Sequence, residues 1–477
     1  MTIQLGYVPF LKAEDIHYQT IQVGNYTVKV PDLTQSQLTN VCHQIKSARY
    51  HLQAYTINDI IDVIDHAIQI LLDRTSKWRQ LAEEILPQST GYPFDIIKVG
   101  LTRYLMTFRK HQLHRFIAED LPNPQILNQF IPNHKGGYTK AVSPALITHL
   151  WSGNIPGLPL WSFISSLLVK SGSICKLPHA EPFLASWFAE IIAEIDPVIA
   201  QCFAVIYWPG GETQLESIAI EQSDVILGYG NNDVLSAIAQ RIPVTKRFLA
   251  YGEKVSLALI GNETLSPNKV EQVTRNIARE IANYDQQGCY SPQMIFIQQG
   301  GNYHPLQVAQ MIAHQLQQLE QLFPVQSFNL QDSMTRSHWL QQAETQALLT
   351  DDIHVFKGAH ASWIVTFHKQ LTFLPSPLNR FVRIMPFTNI TQLTQLLTPY
   401  RSYLQTVGIA AATEKMFQWS EALAQVGVCR FSSLETMTLP EAGWHHDGGF
   451  NLRDLLSFVD IEQPLLSSSE HFVDYEI

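Results

Sequence analysis

The chain has 477 residues, of which 45% are hydrophobic and 16% charged, and its formal net charge is −10 at pH 7. This length predicts two or three domains, and an acidic chain without a run of Lys or Arg lacks the basic footprint of a nucleic-acid-binding protein. The five cysteines are odd in number and contain no CxxC pair, and no HExxH occurs, so we expect neither disulfides nor a metal site. We expect a cytoplasmic protein without an integral membrane segment, because no apolar run reaches membrane-spanning length and the first residues do not resemble a signal peptide.

Taken in chain order, the apolar pattern changes several times. Residues 1–30 predict short strands, and a helical period follows from Leu33 to about Asp120. The Pro, Gly and Asn content of the next stretch is typical of a connector. From 145 to 260, strand-like runs alternate with amphipathic helices, and a second alternation covers 262–440. Alternating β and α units predict parallel sheets covered by helices.

The last residues, 441–477, predict a turn at "WHHDGGF", a short helical stretch at "NLRDLLSFV" and a polar, acidic end.

Candidate ligand-binding residues follow three strands of the first alternation. They are Asn154 in "SGNIPG", Lys176 after "SIC", and the Gly228-Tyr229-Gly230 loop. Parallel sheets bind ligands beyond the carboxyl ends of their strands. There an amide can stabilise an oxyanion, a lysine can contact a ribose or phosphate, and paired glycines let the backbone approach a phosphate. Taken singly, each also fits an ordinary turn, cap or solvated strand end.

Cys289, in "DQQGCYSPQ", has two interpretations. A free cysteine is usually a small core residue. A cysteine in a loop between a helix and a strand can also serve as a thiolate nucleophile.

The order of these residues resembles the aldehyde dehydrogenase superfamily. "WSGNIPGLP", "CKLPHAEP" and "LGYGNND" resemble its segments for the oxyanion Asn, the cofactor lysine and the cofactor phosphates, and "GIAAAT" resembles a later segment. Within that superfamily the chain resembles the LuxC-type acyl-CoA reductase (fatty acid reductase) family. "QQGCYSPQ" is similar to its nucleophile loop, "WHHDGGFNLRDLLSFVDIE" to its C-terminal segment, and the helical region with "GYPFDIIKVGL" to its N-terminal part.

The resemblance implies an α/β, aldehyde dehydrogenase-like fold with a Rossmann-type cofactor domain, an α/β catalytic domain and a helical N-terminal region. Residues 1–260 would form the helical region and the NADP(H)-binding domain, with 121–145 as a β-arm for oligomerisation. Residues 261–440 would form the catalytic domain. Residues 441–477 would return to the cofactor domain or to the oligomer interface.

By the same resemblance, Cys289 is the nucleophile and Asn154 stabilises the oxyanion. Lys176, His179 and the loop Gly228, Tyr229 and Gly230 bind the cofactor. His179 stands where many relatives carry an acidic ribose-binding residue, and losing that carboxylate removes repulsion toward a 2′-phosphate, so we expect NADPH.

A second departure from the superfamily pattern concerns the water-activating base. In "AYGEK", Ala250 stands where oxidising members carry the Glu that activates water. Glu253 is close in sequence, which leaves the loss of this base open.

The resemblance implies NADPH-dependent reduction of a long-chain acyl thioester, acyl-CoA or enzyme-bound acyl, to the aldehyde through an acyl-cysteine. It also implies homo-oligomerisation and a partner similar to an acyl-protein synthetase. One alternative is the same chemistry on a carrier-protein-bound or other non-fatty acyl group. Another is a catalytically silent scaffold in a multi-enzyme complex, against which the intact Cys289, Asn154 and Lys176 count. A third, an aldehyde oxidiser, is disfavoured by Ala250.

Overall fold

The computed structural model describes residues 2–325 and 330–472. The helices are α1 (Gln35–Ala48), α2 (Ile57–Leu72), α3 (Lys77–Thr90), α4 (Phe94–Met106), α5 (Lys110–Asp120), α6 (Pro159–Leu168), α7 (Phe183–Ile195), α8 (Pro197–Ala200), α9 (Thr213–Gln222), α10 (Asn232–Ala239), α11 (Val270–Ala282), α12 (Pro305–Leu322), α13 (Leu330–Leu349), α14 (Ile390–Leu397), α15 (Thr413–Ala424) and α16 (Gln463–Ser469). The strands are β1 (Thr2–Gln4), β2 (His17–Val23), β3 (Tyr26–Asp32), β4 (Ile131–Pro132), β5 (Tyr138–Val142), β6 (Leu146–Leu150), β7 (Gly172–Lys176), β8 (Phe203–Ile206), β9 (Val225–Tyr229), β10 (Arg247–Tyr251), β11 (Val255–Ile260), β12 (Pro292–Gln298), β13 (Ile353–Lys357), β14 (Ile364–His368), β15 (Phe381–Phe387), β16 (Leu404–Ala410), β17 (Arg430–Ser432) and β18 (Ser457–Ile461). Short 3₁₀ turns occupy several of the connections.

The N-terminal region is helical, as the sequence predicts. α2 begins at a capping box, in which Thr56 and Asp59 each accept the other's backbone N–H, and this satisfies N–H groups that have no partner within the helix. Its isoleucines at 60, 61, 64 and 68 lie on one face of the helix and are buried. Packing of this apolar face, more than local propensity, stabilises such a helix.

The chain divides into two compact units. The first contains residues 1–82, 104–252 and 441–477, and the second contains 83–103 and 253–440. This division by contacts differs from the boundaries predicted from the sequence, and the functional assignment of the domains stays a prediction.

The first unit is built on a five-stranded parallel sheet in the order β10-β9-β6-β7-β8. β6 and β8 are buried along their whole length. β8 accordingly reads as a continuous apolar run instead of an alternating one, and the two polar side chains of β6, Thr148 and His149, hydrogen-bond to Ser223 and Ser162. Leu38 and Ile45 of α1 pack with Leu146, Ile174 and Ile226 of the strands in one apolar core.

The second unit is built on a seven-stranded sheet in the order β13-β14-β15-β12-β11-β16-β17. Within it, β13 pairs antiparallel with β14 and the other pairs are parallel. Apolar side chains of α11 and α12 pack in one core, and those of α14 and α15 pack in another. Two separate helix layers are what a parallel sheet with both faces buried requires.

A small antiparallel sheet in the first unit corrects one sequence prediction. In "NLRDLLSFV", which the sequence predicts to be helical, residues 453–455 form a 3₁₀ turn and Ser457–Ile461 is strand β18. β18 pairs with β5, and β5 pairs with β4. A strand partner more than 300 residues away in sequence overrides the local helical pattern, since strand formation depends on pairing more than on propensity.

Other elements lie outside the sequence prediction altogether. They include α13, α14, α15, β13 and β17, which the pattern of residues 262–440 does not reveal. Across 2–325 and 330–472, no helix is both long and apolar enough to cross a membrane.

Candidate active site

Strand register in the first unit brings three predicted segments to one edge of the five-stranded sheet. Leu150, the last residue of β6, pairs with Lys176 on one side and with Gly228 on the other. Gly228 in turn pairs with Ala250 of β10. The four residues therefore form one row at the carboxyl ends of parallel strands, where such sheets bind ligands.

Lys176 is the charged member of this row. Burial lowers the pKa of its ammonium, and the Glu216 carboxylate opposes that shift. Glu216 is itself paired with Arg241. A half-buried lysine that has lost part of its hydration is ready to bind an anionic or hydroxyl-bearing ligand.

The two glycines of the loop after β9 have different surroundings. A Cβ on Gly228 would lie 2.9 Å from the side chains of Leu235 and Phe248, so packing alone requires glycine there. A Cβ on Gly230 would meet nothing within 4 Å. Gly230 thus leaves open space directly before α10, whose N-cap is Asn231. Backbone N–H groups beside open space at a helix N-terminus favour an anion such as a phosphate.

The loop that carries Asn154 is held by a buried carboxylate. Glu181 is fully buried and accepts N–H bonds from Gly157 at 3.1 Å, from Phe183 at 3.0 Å and from Leu184 at 2.9 Å. It therefore joins the Asn154 loop to the first turn of α7. Burial raises the pKa of Glu181 to about 7, against the three N–H donors, which lower it. Within the loop, the Ser152 hydroxyl donates to the Asn154 Oδ1 at 2.9 Å.

His179 lies three residues after Lys176 and contacts the end of the neighbouring strand. Its Nδ1 is 3.2 Å from the Tyr207 hydroxyl, and Tyr207 directly follows β8. Burial raises the pKa of Tyr207. The position of His179 therefore presents an imidazole and a neutral phenol, while the Glu216 carboxylate near Lys176 is paired with Arg241.

An aromatic stack covers the ends of β9 and β10. The rings of Tyr229 and Tyr251 stack at 4.9 Å between centroids, and His446 stacks on Tyr251 at 4.3 Å. Trp444 adds a fourth ring, 4.8 Å from His446. Sequence reasoning predicted only a turn at residues 444–450 and gave His446 no role. Its stacking depends on residues about 200 positions earlier, so no local pattern could have revealed it.

Cys289 lies in the second unit, in the loop between α11 and β12. It is partly exposed, as is Cys429, whereas Cys42, Cys175 and Cys202 are buried. The Ser256 hydroxyl donates to the Cys289 carbonyl oxygen at 2.6 Å. Partial exposure on an anchored loop is the setting of a reactive cysteine, whereas a structural one is buried.

Two residues that follow Cys289 in the motif, Pro292 and Gln293, have structural roles. Pro292 opens β12, and Gln293 donates through its Nε2 to the Lys254 carbonyl oxygen at 3.2 Å. Tyr290 is buried, and its ring would collide with a Cβ on Gly288, at 2.5 Å. The motif therefore fixes the loop by packing and by side-chain bonds to the backbone.

Comparison with known proteins identifies the family. The family model for acyl-CoA reductase (LuxC) matches residues 52–458. The chain belongs to this family. It is 25% identical, over 452 residues, to "Long-chain acyl-protein thioester reductase 2" of Photobacterium leiognathi. The match covers 93% of this chain and 89% of that protein.

Solved structures show that the LuxC-family chain has the aldehyde dehydrogenase fold. Aldehyde dehydrogenase 21 from Physcomitrella patens matches with a TM-score of 0.72 at 13% identity, over 96% of this chain and 98% of that one. A glyceraldehyde-3-phosphate dehydrogenase from Methanocaldococcus jannaschii, solved with NADP, matches with a TM-score of 0.67 at 12% identity, over 91% and 95% of the two chains. The family and the fold class predicted from the sequence are thus confirmed, and the roles of individual site residues stay predictions.

Glu181 generates a pH-dependent stability in this fold. Its pKa is about 7 in the folded protein and 4.5 for an ordinary Glu, so between these values the native protein holds a proton that the unfolded chain has released. We compare the free energy of unfolding of wild type with that of Glu181→Gln. The difference, wild type minus variant, should decrease by on the order of 3 kcal/mol from pH 4.5 to 7. Above pH 7 this difference levels off. Urea unfolding across a pH series measures it.

The matched control for this prediction is Glu212→Gln. Glu212 is a partly exposed residue that caps α9 and accepts the N–H groups of Gln214 and Leu215. The Glu212→Gln variant loses a helix-capping carboxylate but no buried carboxyl, so it measures the effect of the lost cap alone. A wild-type minus Glu181→Gln difference that is flat or rises with pH would contradict the assignment.

Proposed function

We propose that this chain reduces a long-chain acyl thioester to the aldehyde with NADPH, through an acyl thioester on Cys289. The observation that carries the proposal is a partly exposed cysteine on an anchored loop, within the motif "QQGCYSPQ", in a chain of the acyl-CoA reductase family. The printed name of the Photobacterium relative supports a long-chain acyl group on a protein thioester. Acyl-CoA is the donor that the family description supports.

The first step forms the covalent intermediate. The Cys289 thiolate attacks the acyl carbonyl carbon, and a tetrahedral oxyanion forms. The backbone N–H of Cys289 would donate to this oxyanion, and the family resemblance assigns the same role to the Asn154 amide; one such donor contributes about 3–4 kcal/mol. The C–S bond to the carrier then breaks, the carrier leaves as its thiolate, and the acyl group remains on Cys289.

The residues of the five-stranded sheet fit a nicotinamide cofactor. The open space at Gly230 before α10 suits the diphosphate, and Lys176 suits the ribose. When bound, NADPH supplies the hydride that reduces the acyl carbon. Cys289 then leaves as the thiolate, the aldehyde is released, and the nucleophile is regenerated.

Ala250 supports reduction over hydrolysis. It occupies the row position beside Gly228, and its methyl group cannot take a proton from water. Without a base there, an acyl-Cys289 thioester persists until it is reduced. Glu253, the nearest carboxylate in sequence, is exposed.

The covalent intermediate is directly testable. Mixing the protein with hexadecanoyl-CoA without NADPH should add one acyl group by intact-protein mass spectrometry, and adding NADPH should remove it. Cys289→Ala should abolish the adduct. Cys429→Ala should keep it, because Cys429 is the other partly exposed cysteine and has no proposed role.

Two outcomes would change this proposal. An adduct that survives Cys289→Ala would contradict the assigned nucleophile. A wild-type protein that accepts no acyl group from CoA, from an acyl carrier protein or from an acylated partner would contradict the reductase and favour the silent scaffold.

His179 provides a test of cofactor preference. We expect His179→Glu to lower the ratio of kcat/KM for NADPH to that for NADH by about tenfold or more, because a carboxylate there would repel the 2′-phosphate. His179→Gln is the neutral control and should change the ratio much less. Steady-state kinetics with both cofactors measure it, and an unchanged ratio in His179→Glu would contradict His179 as a cofactor residue.

We further propose that the β4–β5–β18 sheet is the arm through which the chain forms a homo-oligomer. Tyr138 and Val142 of β5 and Val459 of β18 are 37%, 42% and 46% exposed, and the register of the two strands places them on one face of the sheet. Clustered exposed apolar side chains on one small sheet are typical of an interaction surface, and a second copy of this chain is the occupant that the family resemblance favours. A partner similar to an acyl-protein synthetase would then bind elsewhere.

Oligomerisation through this arm can be measured by sedimentation velocity. We expect a wild-type oligomer and a strong shift toward monomer in Val459→Glu, because burying an unpaired carboxylate in an interface is costly. Phe458→Glu is the control on the same strand, since adjacent strand residues face opposite sides of the sheet. A monomeric wild type, or an oligomer insensitive to Val459→Glu, would contradict the arm.

A further inference from the structure

Two three-residue runs of left-handed backbone occur in the second unit, one of them just before Cys289. Residues 284–286 have φ of 47°, 49° and 64°, and residues 378–380 have φ of 62°, 57° and 58°. None of the six is glycine. A non-glycine residue in a sparsely populated backbone conformation costs on the order of 1–3 kcal/mol and persists only where its surroundings fix it.

The two runs hold each other in place. Asn379 donates its backbone N–H to the Asp285 carbonyl oxygen at 2.9 Å. Arg380 donates its Nε to the Asp285 Oδ1 at 2.6 Å. Gln287 donates its Nε2 to the Asn379 Oδ1 at 2.8 Å. Backbone and side-chain bonds thus join the segment before Cys289 to the segment that precedes β15.

The ion pair at the centre of this contact is buried. The side chains of Arg380 and Asp285 are 1% and 11% exposed. Arg380 also donates to the Phe323 carbonyl oxygen at 2.8 Å. Removing one partner of a buried pair leaves the other charge uncompensated. Breaking this pair should therefore destabilise the contact between the two segments.

A second arginine fixes the far side of the same contact. Arg336 of α13 is buried and donates to the carbonyl oxygens of Asn379 and Ala361. His360 and Ala361 also have left-handed φ, 51° and 55°. Three left-handed segments therefore meet around two buried guanidinium groups.

The contact is continuous with the Cys289 loop on both sides. Asp285 lies four residues before Cys289, and Gln286 donates its Nε2 to the carbonyl oxygen of Pro292, three residues after it, at 2.8 Å. Ser256 holds the Cys289 carbonyl oxygen between these anchors. The loop is fixed before, at and after the nucleophile.

We propose that Asp285 and Arg380 are positioning residues, which hold the Cys289 loop in the conformation required for acyl transfer. This inference rests on the proposed role of Cys289 as the nucleophile. Neither residue takes part in the proposed chemistry. Displacing a reacting atom by about 1 Å can cost about a hundredfold in rate, so a loop held by strain and a buried pair is a sensitive point.

The test compares full-length variants with wild type. Asp285→Asn removes the charge at nearly constant volume, and Arg380→Lys keeps the charge but loses the guanidinium fork. Glu263→Gln is the matched control, because it breaks the partly buried Glu263–Lys415 pair of the same unit. That pair lies after the carboxyl end of β11, whereas Cys289 precedes the amino end of β12, which runs parallel to β11.

Three readouts separate positioning from general loss of structure. We expect Asp285→Asn to slow single-turnover acylation by hexadecanoyl-CoA about tenfold or more, with little change in the half-saturating acyl-CoA concentration. Hydrogen exchange in peptides covering 283–293 should become faster, and NADPH binding should stay within twofold of wild type. Arg380→Lys should lie between wild type and Asp285→Asn, and Glu263→Gln should match wild type.

Wild-type acylation rates in Asp285→Asn and Arg380→Lys would overturn the inference, and so would slower acylation with unchanged exchange in 283–293. If Asp285→Asn does not fold, Arg380→Lys decides between these outcomes. Failure of the proposed function looks different, because wild type itself then forms no adduct. In that case the exchange measurement alone shows whether the pair holds the loop.

Discussion

Parallel hydrogen bonding between β6, β7, β9 and β10 is the constraint on which the first unit's site depends. It aligns Leu150, Lys176, Gly228 and Ala250 in one row, although the sequence spreads them over a hundred residues. Each strand then ends at the same edge, and each following loop begins there. A change of register by one residue would reverse which face each side chain occupies, so the row exists only because the buried apolar runs fix the register.

Much of this arrangement was predictable from sequence, for identifiable reasons. The order of Asn154, Lys176, the Gly228 loop and Cys289 carries the family resemblance, and alternating apolar runs and amphipathic helices indicate parallel sheets. Strand β18 was missed because its pairing partner lies far away along the chain. The Asp285–Arg380 pair spans 95 residues, and the contact between Tyr251 and His446 joins two segments that no spacing relates. Long-range polar and aromatic contacts leave no periodic signal, whereas core-facing positions do.

Side chains that reach backbone atoms support the loops on which function is proposed. Glu181 accepts from the backbone around Asn154, Gln286 and Ser256 donate to the backbone around Cys289, and Arg336 donates to the backbone of Asn379. These bonds are mostly buried, where a lost partner leaves a polar group without water. A site built this way has the fixed geometry that orientation of a nucleophile requires. It also tolerates fewer mutations.

The discontinuous first unit has a consequence for how the chain folds during synthesis. Its sheet strands β6 to β10 are complete by residue 251, but His446 and β18 arrive only after the whole of 253–440 has been made. Until then the Tyr229 and Tyr251 rings lack the His446 layer, and β5 lacks its β18 partner. The N-terminal part therefore emerges from the ribosome with an unpaired strand edge. Such an edge can pair with a strand of another chain. Premature termination anywhere before residue 457 would make that exposed edge permanent, so truncated products are expected to be substrates for chaperones and proteases.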